Sequence, residues 1–78
     1  MQEYKGVINK IYKDETNHMV YTFNIKISNG EILTENVGIW PHIWKYAKVG
    51  DSIIKPADTL MIIVKKRDAS YREFFCGY

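Results

Sequence analysis

The clearest pattern along the chain is a strict alternation of apolar and polar positions over residues 21–28. The apolar positions that alternate with polar ones are Tyr21, Phe23, Ile25 and Ile27. This period of two predicts a half-buried β-strand. Asn29-Gly30 follows directly, and this dipeptide favours a type I′ turn, in which both central residues have positive φ. We therefore predict a β-hairpin over residues 19–37.

The rest of the chain consists of short periodic segments that are separated by single Gly and Pro residues. Further strands are predicted at residues 4–12, from 31 to 37 or 39, and at 52–55, 60–66 and 71–78. Gly6 lies inside the first strand, where a glycine permits a bend or a bulge. Trp40-Pro41 interrupts the strand pattern, and a Pro at the first helical position with Gly50 as the C-terminal cap predicts a helix at about 41–48.

This order of elements predicts an all-β fold, a small β-barrel formed by one domain over residues 1–78. A helix between the third and fourth strands matches the order β-β-β-α-β-β of an OB-like barrel, here with an extra C-terminal strand. An SH3-like barrel, in which the helix is reduced to a single turn, is the alternative. A barrel of either kind removes the exposed strand edges that so short a sheet otherwise presents.

Composition restricts the fold and the possible partners. The 78 residues are too few for two independent cores, but the eleven Phe, Trp and Tyr residues offer large areas for burial. The single Cys76 excludes an internal disulfide. The net charge of +2 is too small to attract nucleic acid or anionic lipid over a long range. The chain has no apolar run of about 18 residues, so we expect no membrane span within it.

One segment resembles a known group of proteins. Val49 to Lys55 reads V-G-D-S-I-x-K, and Gly6 to Lys10 reads G-V-I-x-K; Asn17-His18 and Trp40-Pro41 lie between them. In these features the chain resembles uncharacterised small bacterial β-rich proteins that share the first motif. The resemblance implies no known activity. Some members carry a membrane or lipid anchor ahead of this domain, which implies an envelope-facing location if a leader has been removed; a native Met1 instead predicts a cytoplasmic protein.

Residues suited to catalysis or metal binding are few and dispersed. His18, His42 and Cys76 lie in three different elements without the paired spacing of zinc ligands, so we expect no metal site. Glu31 and Glu35 share one strand face, but solvated glutamates at the edge of a sheet explain them without acid–base catalysis. The five glycines are isolated from one another, so there is no phosphate-binding loop. We therefore expect no enzymatic activity and no cofactor.

An excess of aromatic residues is the remaining signal of function. Trp40 and Trp44 are four residues apart, so the predicted helix presents them on one face, apart from the face of Ile43 and Ala47. Exposed Trp and Tyr residues anchor many protein interfaces, although in a small barrel both tryptophans can instead cover the open ends of the core. The leading hypothesis is a protein-interaction or cell-envelope accessory domain. Its candidate interaction surface consists of Trp40, Trp44, Tyr46 and Tyr12.

The alternative function is binding of single-stranded nucleic acid, which an OB-like order suggests. The weak candidates for this role are Lys65, Lys66 and Arg67. The second strand argues against it, because Tyr21 and Phe23 lie on the apolar face and leave no aromatic stacking surface outside. We therefore expect a protein or peptide partner in preference to nucleic acid. The oligomeric state stays open at this level.

Overall fold

The computed structural model describes residues 3–16, 18–57 and 59–76, so Asn17 of the resemblance lies outside the described residues. The chain forms six strands and one short helix. These elements are β1 (Tyr4–Asp14), β2 (Val20–Ile27), β3 (Ile32–Asn36), α1 (Ile43–Tyr46), β4 (Ser52–Lys55), β5 (Met61–Lys65) and β6 (Tyr71–Phe75). The predicted all-β class and the predicted order of elements are confirmed.

All six strands belong to one antiparallel sheet in the order β3-β2-β1-β4-β5-β6. The two central strands are β1 and β4, and β1 pairs with β2 on one side and with β4 on the other. In the described ranges no pairing joins β3 to β4, β5 or β6, so the sheet is not closed into a barrel. The predicted OB-like or SH3-like barrel is therefore not confirmed.

The segment between β3 and β4 contains α1, which contacts both β2 and β6. Trp44 of α1 stacks on Tyr21 of β2, with ring centroids 4.9 Å apart. At the other end of the sheet, Tyr46 contacts Phe74 of β6, with ring centroids 5.7 Å apart. These contacts connect the two halves of the sheet through side chains, and we call the gap between β3 and the β4–β5 pair the seam.

The core lies between the inner face of the sheet and this α1 segment. Its buried members are Ile8, Phe23, Ile25, Val37, Trp40, Ile43, Ala47, Ile53, Ile62, Val64 and Phe74. The alternation in β2 correctly predicts that Phe23 and Ile25 are fully buried. Tyr21 and Ile27 face the same side, but they are only half-buried because they lie near the ends of the strand.

The hairpin between β2 and β3 is confirmed, but its predicted type I′ turn is wrong. Of the two central residues only Gly30 has a positive φ, 89°. The Gly30 N–H donates to the Ile27 carbonyl at 2.9 Å, and the Ile27 N–H donates to the Glu31 carbonyl at 3.0 Å. This is a three-residue loop that ends on a left-handed glycine. The Asn29 side chain accepts the Glu31 N–H at 2.9 Å, which explains an Asn at this position.

The turn between β5 and β6 repeats this hydrogen-bond pattern. The Lys66 N–H donates to the Ser70 carbonyl at 2.7 Å, and the Ala69 N–H donates to the Lys66 carbonyl at 3.0 Å. Ala69 takes the place of the left-handed glycine, with φ 73°. Hydrogen bonds from the Ser70 hydroxyl and N–H, at 2.6 and 3.0 Å, hold the pKa of the Asp68 carboxyl below its usual value. This turn sets the register in which β6 pairs with β5.

The helix is shorter than the predicted 41–48. It covers Ile43–Tyr46, because His42 has a left-handed φ of 68° and Ala47 is already extended. Trp40 therefore precedes the helix, and the prediction that Trp40 and Trp44 share one helix face is wrong. At the C-terminus β6 ends at Phe75, and residues 77–78 of the predicted last strand lie outside the described residues.

The irregularity in β1 does not lie at Gly6. The pairing of β1 with β2 shifts between Ile8 and Lys10, which places the bulge near Asn9. Gly6 instead lies where the backbones of β1 and β2 approach closely: a Cβ atom there would lie 2.5 Å from the Lys26 carbonyl oxygen. A glycine is therefore required at position 6 because a larger side chain would not fit, and not because of a bulge.

Candidate functional site

The V-G-D-S-I-x-K segment has a structural role in the turn that leads from α1 into β4. Asp51 is buried, and its carboxylate accepts the Lys48 N–H at 2.8 Å and the Lys66 ammonium group at 2.5 Å. The same ammonium group donates to the Tyr46 carbonyl and lies 4.5 Å from the centre of the Tyr46 ring. Two residues of the predicted interfaces, Tyr46 and Lys66, are thus engaged in one internal contact.

The structure does not group the four predicted aromatic residues into one surface. Trp40 is only 4% exposed, and its indole N–H donates to the Leu60 carbonyl at 2.6 Å, so it belongs to the core. Trp44 is half-buried against Tyr21 on the inner face of the sheet. Tyr12 is half-buried on the outer face, where the Lys10 ammonium group lies 5.0 Å from its ring centre. Binding of a partner through Trp44, Tyr46 or Tyr12 stays a prediction.

The three basic residues proposed for nucleic-acid binding also differ in their surroundings. Lys65 is exposed on the outer face of β5, and Arg67 is exposed in the turn that follows. Lys66 points inward to Asp51, which neutralises it. The three cations are consecutive in the sequence but do not lie on one surface. Their role in nucleic-acid binding stays a prediction.

A mostly apolar cavity of 370 Å³ opens at the seam. Its walls include Tyr4, Glu35, Trp40, Lys55 and Leu60. The Tyr4 hydroxyl donates to the Glu35 carboxylate at 3.0 Å, which links β1 to β3 across β2. Burial of the ring, the negative charge of Glu35 and this hydrogen bond raise the pKa of Tyr4 well above its usual value near 10. A phenol that stays protonated supplies a hydrogen bond here and no base.

The Tyr4–Glu35 contact predicts how stability changes at alkaline pH. The folded-state pKa is raised, so the unfolded chain releases its proton first once the pH exceeds about 10. The stability due to Tyr4 is therefore complete below pH 10 and falls by up to about 1.4 kcal/mol per pH unit above it. Urea unfolding at pH 8, 10 and 11 measures this decline. Tyr4→Phe should decline less steeply, whereas the exposed control Tyr71→Phe should follow wild type; equal slopes in all three proteins contradict the prediction.

The outer side of the β4–β6 half carries an exposed apolar surface. Tyr71 and Phe75 are 65% and 64% exposed, the largest exposed fractions among the large apolar side chains of the described ranges. Phe75 pairs with Met61, Glu73 with Ile63, and Ile63 in turn with Ile54. Ile54, Met61 and Ile63 are half-buried, so they fill the surface beside the two aromatic rings. We call the surface formed by Ile54, Met61, Ile63, Tyr71 and Phe75 the outer patch.

Sequence reasoning missed the outer patch. The segment was correctly predicted as an aromatic strand, but its aromatic residues fall on both faces: Phe74 is buried, whereas Tyr71 and Phe75 are exposed. The sequence carries no clear signal here, because both faces of the segment bear a charge: Glu73 lies between Tyr71 and Phe75, and Arg72 shares the face of Phe74.

Within the described ranges, no three His, Cys, Asp or Glu side chains come together as metal ligands. The same ranges contain no helix with the length and apolar composition needed to cross a membrane. Comparisons of the chain with protein-family models, curated proteins and solved structures find no match. The resemblance to small bacterial β-rich proteins therefore stays a prediction, and the function has to be inferred from the surface of the molecule.

Proposed function

We propose that this domain is a non-enzymatic protein-binding module and that the outer patch is its interface. The observation that carries the proposal is the pair of aromatic residues, Tyr71 and Phe75, exposed on the same face of an edge strand. Covering one such ring fully contributes about 2 kcal/mol to binding. Aromatic side chains beside half-buried aliphatic ones are typical of the centre of an interface.

Charged residues surround the outer patch and favour a protein over a polyanion as its ligand. Glu73 lies between the two rings, Lys65 pairs with Tyr71, and Lys5 pairs with Ile54. A carboxylate at the centre of the patch repels phosphate groups, and one lysine at each border does not form a continuous basic track. Apolar side chains bordered by charged residues are the usual arrangement of a protein interface, and Glu73 adds one negative charge between the two rings of this patch.

The finer description of the fold belongs to the same proposal. We propose an OB-like topology that stays open at the seam, supported by the short helix between β3 and β4 and by the pairing of β1 with both β2 and β4. Binding of single-stranded nucleic acid is the second function such a topology suggests. The contact between Lys66 and Asp51 weakens that alternative, because it removes the central cation of the Lys65–Arg67 cluster from the surface.

Affinity purification from the source cells tests the proposed interface. The bait proteins are wild type, the patch variant Tyr71→Ser/Phe75→Ser and the control variant Ile32→Ser/Val49→Ser, which removes exposed apolar side chains outside the patch. We expect a partner that wild type and the control variant retain and that the patch variant binds at least about tenfold more weakly in a titration with purified components. Circular dichroism checks that both variants are folded. Retention of the same partners by the patch variant would overturn the proposal.

A further inference from the structure

We propose that β6 accepts an extended peptide as an additional antiparallel strand, and that this peptide carries a basic residue with an apolar residue two positions away on each side. The inference rests on the proposed function, because the peptide would pack beside Tyr71 and Phe75, the two aromatic residues of the outer patch. It adds the mode of binding and the chemistry of the partner.

The open edge of β6 has the backbone groups that strand addition requires. The Lys66 N–H donates to the Ser70 carbonyl, which begins the alternation of hydrogen-bonded and non-bonded pairs between β5 and β6. Two residues further along, Val64–Arg72 is again a bonded pair. The intervening Tyr71, Glu73 and Phe75 therefore direct their N–H and C=O groups away from β5. No strand of the described ranges pairs with that side of β6.

The same three residues define which peptide fits. Their side chains all point to the outer face, since alternate residues of a strand share a face. In an added antiparallel strand, one residue lies directly opposite each of them. Apolar residues fit opposite Tyr71 and Phe75, whose rings are largely exposed, and a Lys or Arg fits opposite the Glu73 carboxylate. The spacing of two residues follows from the strand period.

A second copy of this chain fits the edge poorly. Symmetric pairing of two β6 strands over their full length places Glu73 opposite the same residue of the second copy, and like charges directly opposite each other are destabilising. The two neighbouring symmetric registers place Arg72 opposite Arg72, or Glu73 opposite Phe75. Each register brings together two like charges, or a charge and an apolar ring. The sequence of β6 therefore favours a partner of different sequence.

The other open edge, β3, lacks this chemistry. The Ile27 and Val37 hydrogen bonds at its two ends imply that Leu33 and Glu35 bond to β2, so Thr34 directs its backbone groups outward. Thr34 is uncharged, and the outer face of the neighbouring β2 carries Asn24 beside it. No aromatic side chain of the described ranges flanks Thr34 on β3. Position 34 therefore provides a control that matches position 73 in backbone geometry but not in side-chain surroundings.

Fluorescence anisotropy with two labelled synthetic peptides tests the inference on the full chain. One peptide is Thr-Val-Thr-Lys-Thr-Val-Thr, and the other has Glu in place of Lys. We expect wild type to bind the Lys peptide at least tenfold more tightly than the Glu peptide, and Glu73→Lys to reverse this preference. The net charge of +2 favours the Glu peptide, so a preference for the Lys peptide does not follow from the overall charge.

Two proline variants separate strand addition from contact by side chains alone. Glu73→Pro removes an N–H that faces outward and leaves the pairing with β5 in place, so it should weaken binding of the Lys peptide at least tenfold. Thr34→Pro makes the same change at the β3 edge and should leave binding unchanged. Circular dichroism checks the fold. If Glu73→Pro does not fold, the charge reversal with Glu73→Lys decides the question.

The following results would overturn the inference that a peptide pairs with β6. If Glu73→Pro binds like wild type but Tyr71→Ser/Phe75→Ser does not, the outer patch binds without strand pairing; the proposed function then stands. Loss of binding only in Thr34→Pro assigns the peptide to β3. If wild type binds neither peptide at millimolar concentration, the inference falls, whereas the proposed function is judged by the purification experiment. A dimer that forms in wild type and is lost in Glu73→Pro makes the occupant a second copy.

Discussion

Gly6→Ala should lower the free energy of unfolding by about 3 kcal/mol, the upper part of the range for overfilled sites. The added Cβ would lie 2.5 Å from the Lys26 carbonyl oxygen and 2.8 Å from Cγ2 of Ile25. The oxygen belongs to the backbone of β2, so β1 and β2 must separate before the methyl group fits. Gly6 also pairs with Ile53 of β4, so a shift of β1 disturbs both of its neighbours.

This loss is large for so small a domain. A chain of 78 residues has a total stability of about 4–12 kcal/mol. Urea unfolding followed by tryptophan fluorescence measures the change. Gly38→Ala is the matched control, because the nearest atom to its Cβ is a flexible methyl group of Val20 at 3.0 Å, and we expect a loss below about 1 kcal/mol. Equal stability of the two variants contradicts the prediction.

Asp51→Ala should cost about 3 kcal/mol, because the carboxylate serves two partners at once. Its removal leaves the Lys48 N–H without its acceptor and leaves the Lys66 ammonium group with the Tyr46 carbonyl and ring. The Lys66 side chain is 23% exposed, so water replaces part of the lost interaction and keeps the cost below that of a fully buried pair.

Loss of Asp51 should also weaken the packing of β6. Tyr46 contacts the Phe74 ring of β6, and the guanidinium group of Arg72 lies 5.9 Å from the Tyr46 ring centre. The Asp51–Lys66 contact holds Tyr46 in this position. We therefore infer that the V-G-D-S-I-x-K segment supports the edge strand that carries the outer patch.

A double-mutant cycle measures the Asp51–Lys66 interaction directly. The variants are Asp51→Asn, Lys66→Met and the two combined, and we expect a coupling free energy of about 1–2 kcal/mol. Asp51→Asn keeps an oxygen for the Lys48 N–H, so it should cost less than Asp51→Ala. Additive effects of the two single changes, or equal stability of Asp51→Asn and Asp51→Ala, contradict the assigned roles.

Much of the fold could be predicted from the sequence, because its strongest signals are local. The alternation in β2 identifies Phe23 and Ile25 as core residues, and Asn29-Gly30 places the hairpin. The β4 boundaries of 52–55 are confirmed because Gly50 and Pro56 delimit the strand in the chain itself. The turn type was not predictable, since Asn-Gly is compatible with both a two-residue and a three-residue loop.

The candidate site depended on information that the sequence does not carry. Tyr71, Phe74 and Phe75 are all aromatic, so hydrophobicity does not tell which face of β6 is buried. Pairing with β5 decides it: Phe74 lies beside the buried Ile62, whereas Phe75 lies beside the half-buried Met61. The same limitation applies to Trp40. In the core its indole N–H donates to the Leu60 carbonyl, which is twenty residues away in the sequence.

The sequence by itself determined where the strands and turns lie, because alternation, Gly and Pro act over a few neighbouring residues. Only the tertiary structure decided that the sheet stays open at the seam and that Tyr71 and Phe75 face outward. Both outcomes depend on contacts between distant residues, such as Trp44 with Tyr21 and Lys66 with Asp51. Such contacts form only when the whole chain packs, so no short stretch of the sequence determines them.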